Sequence, residues 1–187
     1  MKLAIFVSGT GSNARTIIDR FQAHPEDGVE VVLLLSNRAN AGALMMAAER
    51  DVPTLVVKRD VFNNSEVLLD DLRAFDVDFI ALAGFLWLIP PYLVRAFPRR
   101  MLNIHPALLP DYGGKGMYGA KVHRAVRANG EIESGITIHY VNEQYDEGDY
   151  VFQAAVRLDP DDTSEQIAER VLRLEHGNFW RAIRSLA

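Results

Sequence analysis

The sequence contains no cysteine. That excludes disulfides and thiolate metal ligands, and it fits a reducing compartment. No apolar run approaches the roughly 20 residues that a membrane span needs. The opening stretch, Met1-Lys-Leu-Ala-Ile-Phe-Val-Ser8, is too short for a secretory leader and carries no cleavage-site pattern. Positive charge is also scarce. Twenty Lys and Arg against 25 Asp and Glu leave a net charge of −5, with no basic stripe, which disfavours a nucleic-acid partner. None of the five histidines forms the i, i+4 pair of a helical zinc site, so no metal is expected. Repeats, low-complexity segments and linkers are absent as well. What remains is an ordinary globular composition, 49% apolar over 187 residues. It predicts one domain spanning 1–187, in a cytoplasmic setting with small-molecule partners and no membrane contact.

The first half alternates two periods. Leu3–Val7, Val29–Leu35, Thr54–Val57 and Phe79–Ala83 are short apolar or β-branched runs, as expected of strands buried on both faces. Between them lie helix-like stretches over Asn13–Ala23, Ala41–Arg50 and Asn64–Phe75. Such alternation predicts an α/β fold, a Rossmann-like and mostly parallel sheet flanked by helices. A short helix over Pro90–Phe97 leads into a strand ending at His105. The Gly-dense loop Gly113–Gly119 follows, then a helix over Lys121–Ala128. Two alternating runs, Gly135–Val141 and Tyr150–Leu158, read as an antiparallel hairpin. Thr163-Ser-Glu-Gln166 has capping-box spacing and opens a final helix with Ile167, Val171 and Leu174 on one stripe.

Three segments carry chemistry. Asn103-Ile-His105 ends a strand with an amide and an imidazole on one face, the hardware for holding an oxyanion and moving a proton. Ser8-Gly-Thr-Gly-Ser-Asn13 joins the first strand to the first helix, where free N–H groups favour an anion. Gly9–Ala14 satisfies the loose dinucleotide pattern, but Ser36-Asn37-Arg38 stands where an NAD site expects an acid; Arg38 leaves a 2′-phosphate cofactor open. Asp146, in the acidic turn Tyr145–Asp149, is either a solvated hairpin residue or the carboxylate partner of His105. His139 reads as a buried structural residue, His123 and His24 as surface groups, and Glu175-His176 as solvated. Phe85–Ile89 is either core or one wall of a flat aromatic pocket.

Ser8–Asn13, Ala83-Gly-Phe85, Asn103–Pro110, Gly135–Val141 and Asp146-Glu-Gly148, in this order and spacing, resemble the phosphoribosylglycinamide formyltransferases. The resemblance covers essentially the whole chain. It implies formyl transfer from 10-formyltetrahydrofolate to the amine of glycinamide ribonucleotide, in a monomer or homodimer. Asn103 would bind the formyl oxygen, protonated His105 would stabilise the oxyanion, and Asp146 would keep that ring charged. Gly11, Ser12 and Asn13 would hold the phosphate and Glu175 the ribose. Leu86, Trp87 and Leu88 would flank the folate pterin, with Asn103 beside it. Three features depart from the family pattern. Gly113–Gly119 is long, and its Lys115 is a candidate for a phosphate or the folate tail. Ser65 replaces a cation, leaving Lys58 or Arg59 for that tail, and Trp87 replaces an arginine. Rival functions are a formyltetrahydrofolate deformylase or a formyltransferase acting on another amine, such as an amino sugar. The deformylase normally adds an amino-terminal domain, and the transfer-RNA formyltransferase a carboxyl-terminal one. An NADP-dependent oxidoreductase or nucleotide-binding module would leave Asn103, His105 and Asp146 without a role.

Overall fold

The computed structural model describes residues 1–64 and 66–187, so the Ser65 expectation lies outside the described residues. Seven strands form one sheet: β1 (Lys2–Val7), β2 (Glu30–Ser36), β3 (Thr54–Val56), β4 (Phe79–Leu82), β5 (Met101–His105), β6 (Glu133–Tyr140) and β7 (Tyr150–Arg157). Their order is β3-β2-β1-β4-β5-β6-β7. The first five are parallel to one another, and β6 and β7 add antiparallel pairs at the far edge.

Strand β1 shows why the sheet is buried on both sides. Leu3, Ile5 and Val7 face one hydrophobic cluster, while Ala4 and Phe6 face the other. Helices α1 (Ser12–Ala23), α2 (Gly42–Ala48), α6 (Ala120–Ala128) and α7 (Ser164–Arg184) contribute to the first cluster. Helices α3 (Arg59–Asn64), α4 (Glu66–Ala74) and α5 (Pro91–Ala96) contribute to the second. Phe6, Phe62 and Phe179 are fully buried. Each such side chain stabilises the fold by about 1.5–3 kcal/mol. Helix α4 lies within the helix expected over Asn64–Phe75, and helical residues also precede Asn64 in α3, whose Phe62 is anchored in the second core.

The capping box at the start of α7 forms as its spacing predicts. The Gln166 N–H donates to Thr163 Oγ1 at 3.3 Å, and the Thr163 N–H donates to Gln166 Oε1 at 2.7 Å. Such a cap stabilises a helix by about 1 kcal/mol. Strand order reverses between β1 and β4, where open α/β sheets place their ligand crevice beyond the carboxyl ends of the strands. The Ser8 N–H donates to the Gly84 carbonyl at 3.0 Å, and the Leu86 N–H donates to Ser8 Oγ at 2.9 Å. The loops after β1 and β4 are thereby pinned to each other along that crevice.

Candidate active site

A cavity of about 630 Å³ opens along the carboxyl ends of β1, β4 and β5. The glycine loop and α7 line it through Ser8, Gly9, Asn13 and Glu175, and the apolar segment Phe85–Ile89 lines it beside Ser8, to which Leu86 is hydrogen-bonded. Asn103, His105, His139 and Asp146 line the same cavity.

Asn103 and His105 end strand β5, and both are drawn into the centre. The antiparallel register pairs Asn103 with His139 across β5 and β6. Asn103 Nδ2 lies 3.1 Å from His139 Nε2 and donates to Asp146 Oδ1 at 3.3 Å. His139 Nδ1 lies 2.9 Å from the Tyr140 carbonyl, which only accepts, so that nitrogen carries a hydrogen. The expectation of a buried His139 holds at 2% exposure. It is also a direct partner of the amide beside which it sits.

Asp146 comes from the β6–β7 connection and takes a left-handed backbone, φ 57°. Its Oδ2 lies 3.5 Å from His105 Nδ1 and accepts from the Gly114 N–H at 2.9 Å; its Oδ1 lies 3.5 Å from His139 Nε2. The structure therefore favours the His105 partnership over the solvated-turn alternative. Gly148 holds this turn against β6: a Cβ there would stand 1.7 Å from the Tyr140 carbonyl oxygen. His105 itself is 4% exposed, with Nε2 2.8 Å from the Tyr112 carbonyl.

Opposing influences act on the charge of the His105 ring. Burial pushes the His105 imidazole below its ordinary pKa, outweighing the upward pull of the Asp146 carboxylate and the Tyr112 carbonyl, while His139 adds to the lowering. Asp146 therefore raises the charged fraction of the ring without restoring it to the usual value. Burial works to raise Asp146 too, but contacts from His139, His105 and the Gly114 N–H hold it below the usual carboxylate range.

In the glycine loop, Gly11 precedes α1 with φ 76°, and a Cβ there would meet the Ala43 Cβ at 2.6 Å. Its glycine character serves packing against α2. Asn13 lines the cavity, whereas Gly11 and Ser12 do not. Glu175 is buried, against the solvated reading of the residues alone, and it lines the cavity where the resemblance implies a site residue. It is 9% exposed and accepts from Asn13 Nδ2 at 2.6 Å. Burial raises its pKa, with the Asn13 bond opposing. The signal was present in the four-residue spacing of Ile167, Val171, Glu175, Phe179 and Ile183, all buried on α7. His123 is a second correction. It is 6% exposed on the buried stripe of α6 with Val122 and Val126, and it lines the cavity. Burial and the neighbouring His105 lower its pKa. His24 is partly exposed beside Glu26, as expected.

Phe85–Ile89 combines both anticipated roles. Phe85 packs edge-on against Phe6 in the core, while Leu86, Trp87 and Leu88 line the cavity. The Arg59 guanidinium lies 4.7 Å from the Trp87 ring centroid. Lys115 is exposed and does not line the cavity; Arg38 does. Among the described residues, no group of His, Cys, Asp and Glu has a metal-binding arrangement, and no helix is long and apolar enough to cross a membrane.

The family model described as "Formyl transferase" matches residues 1–183. A chloroplastic phosphoribosylglycinamide formyltransferase of Arabidopsis thaliana is 50% identical over 181 residues, covering 94% of this chain; the chain spans 61% of that relative's length. The phosphoribosylglycinamide formyltransferase of Haemophilus influenzae is 37% identical over 180 residues, covering 94% of this chain and 82% of the relative. Among solved structures, the phosphoribosylglycinamide formyltransferase of Anaplasma phagocytophilum superposes with a TM-score of 0.90 at 32% identity, covering 100% of this chain and 86% of that one. Sheet order, strand-end chemistry and these matches converge on one conclusion: the chain belongs to the formyl transferase family, among the phosphoribosylglycinamide formyltransferases.

Proposed function

We propose that this chain, as one domain over 1–187, transfers a formyl group from 10-formyltetrahydrofolate to the amine of glycinamide ribonucleotide. The carrying observation is the convergence of Asn103, His105 and Asp146 in one cavity that also gathers polar groups and an apolar wall. The polar groups, Asn13 and Glu175 with the start of α1, suit a ribose and phosphate. The apolar wall, Leu86, Trp87 and Leu88, suits a flat pterin, and Arg59 against Trp87 suits an acidic tail.

The reaction needs no covalent enzyme intermediate. The amine nitrogen attacks the formyl carbon, forming a C–N bond as the carbonyl π pair moves onto oxygen. Collapse of this tetrahedral species breaks the bond to the folate nitrogen, which leaves with the electron pair. The amine loses one proton and the folate nitrogen gains one, so the balance closes. Asn103 donates to the developing oxyanion by exchanging its longer contact, 3.3 Å to Asp146. His105 relays the proton, and Asp146 favours its charged form.

The test is amine-dependent turnover by the purified protein, followed by folate absorbance with the nucleotide product checked by mass. Asn103→Ala or His105→Ala should each lower kcat by about 10²–10³-fold with an unchanged fold. Folate hydrolysis without the amine would instead establish a deformylase. Full activity in both variants would overturn the assigned roles.

A further inference from the structure

The segment that follows β5 returns to touch the site at two points. The Tyr112 carbonyl lies 2.8 Å from His105 Nε2, and the Gly114 N–H donates to Asp146 Oδ2 at 2.9 Å. A carbonyl oxygen only accepts, so His105 Nε2 must carry a hydrogen. Nδ1 is then the ring nitrogen left facing Asp146, at 3.5 Å.

The Tyr112 contact is anchored rather than incidental. Tyr112 holds a left-handed backbone, φ 58°. Its side chain is fixed at the far end, where the hydroxyl donates to Glu131 Oε1 at 2.6 Å and accepts from Asn129 Nδ2 at 2.8 Å. Its ring packs against the first hydrophobic cluster. A bulky residue in this conformation is uncommon and persists where its surroundings hold it.

We propose that Tyr112 is a positioning residue whose carbonyl locks the His105 tautomer, so that Nε2–H stays fixed and Nδ1 is the nitrogen that gives and takes the proton. During turnover, Nδ1 takes a proton from the attacking amine and passes it to the departing folate nitrogen. This deepens the formyl-transfer proposal, and its activity arm rests on that reading. Its spectroscopic arm does not.

The experiment is a long-range proton–nitrogen correlation spectrum of the histidine-labelled protein at pH 8, where a lowered imidazole is neutral. His105 is assigned by the signal lost in His105→Gln. The expected result is a protonated Nε2 and an unprotonated Nδ1. The reverse pattern, or an even mixture, overturns the proposal. Groups facing this ring are Asp146, His139, His123 and the Tyr112 carbonyl. Tyr112→Phe keeps the ring packing and removes the anchoring hydroxyl. It should move the His105 titration to lower pH, because the carbonyl bond raises the imidazole's pKa. A purely structural role would cost activity without moving that titration, and an unmoved midpoint counts against the lock.

In the activity arm, the Asn amide reaches the position of Nδ1 and the Gln amide that of Nε2. Neither amide titrates, so neither relays a proton, and both variants should lose at least about 100-fold in kcat. A His105→Asn variant with parent-like kcat would overturn proton transfer at Nδ1. An inactive parent protein would sink the formyl-transfer proposal while leaving the tautomer readable.

Discussion

Replacing Glu175 with Gln should strengthen the fold and weaken substrate binding. The carboxylate is 9% exposed on α7, and Asn13 Nδ2 at 2.6 Å is its one hydrogen-bond donor among the described residues. Burial raises its pKa in the folded protein. The sign follows from linkage: the folded state binds more protons than the unfolded one above the unfolded pKa. Stability therefore falls as pH climbs from that value through the raised folded value, and the penalty is complete above it. Gln removes the charge. Its amide also supplies a donor near Asn13 Oδ1, which is buried without a partner among the described residues. One added buried hydrogen bond contributes about 1 kcal/mol. For a chain of this size that raises Tm by about 2–4 °C.

The check is a series of thermal melts from pH 4 to pH 8 at fixed ionic strength. The gap in Tm between Glu175→Gln and the parent should be small at pH 4 and widen as pH rises through the folded pKa of Glu175. A gap that does not change with pH would refute the buried-charge account. In the same variant, loss of a charged acceptor for ribose hydroxyls should cost about 1.5–3 kcal/mol of binding. That is roughly 10- to 100-fold in the affinity for ribose 5-phosphate, measured by calorimetry.

Asp146→Asn removes a carboxylate that raises the His105 pKa, so the imidazole titration should move to lower pH and turnover should fall most on the alkaline side. A pH–rate profile identical in shape to the parent's would oppose it. Gly148→Ala drives a Cβ to within 1.7 Å of the Tyr140 carbonyl and should destabilise by about 3 kcal/mol, read as a lowered denaturation midpoint. Arg59→Ala should raise KM for the folate co-substrate about fivefold, as expected for losing one exposed charge pair of about 1 kcal/mol. KM for the nucleotide should not move.

Much of the fold was legible because its causes are local. Continuous apolar runs marked the parallel strands, and Thr163-Ser-Glu-Gln166 marked the start of α7. The helical residues before Asn64 were missed because they carry no full turn of periodic apolar positions beyond Val61 and Phe62. The deep anchor there, Phe62, gains meaning only against Phe85 and Trp87, residues distant in sequence.

The site divides along the same physical line. Asn103 and His105 share a strand end, so two-residue alternation alone places them together. Their partners depend on register. His139 sits opposite Asn103 only because β6 pairs antiparallel with β5, and neither run states which residue faces which. Tyr112 acts through its backbone carbonyl, and any residue type offers that group, so side-chain chemistry could not mark it. Glu175 and His123 carried a signal that charge and polarity masked. Each occupies a buried row of its helix, at 9% and 6% exposure. An ionisable residue in an otherwise apolar helical row either costs stability or faces a polar cavity. Here both side chains line the same one, so the departures from helix amphipathicity point to the site as directly as the strand-end motif does.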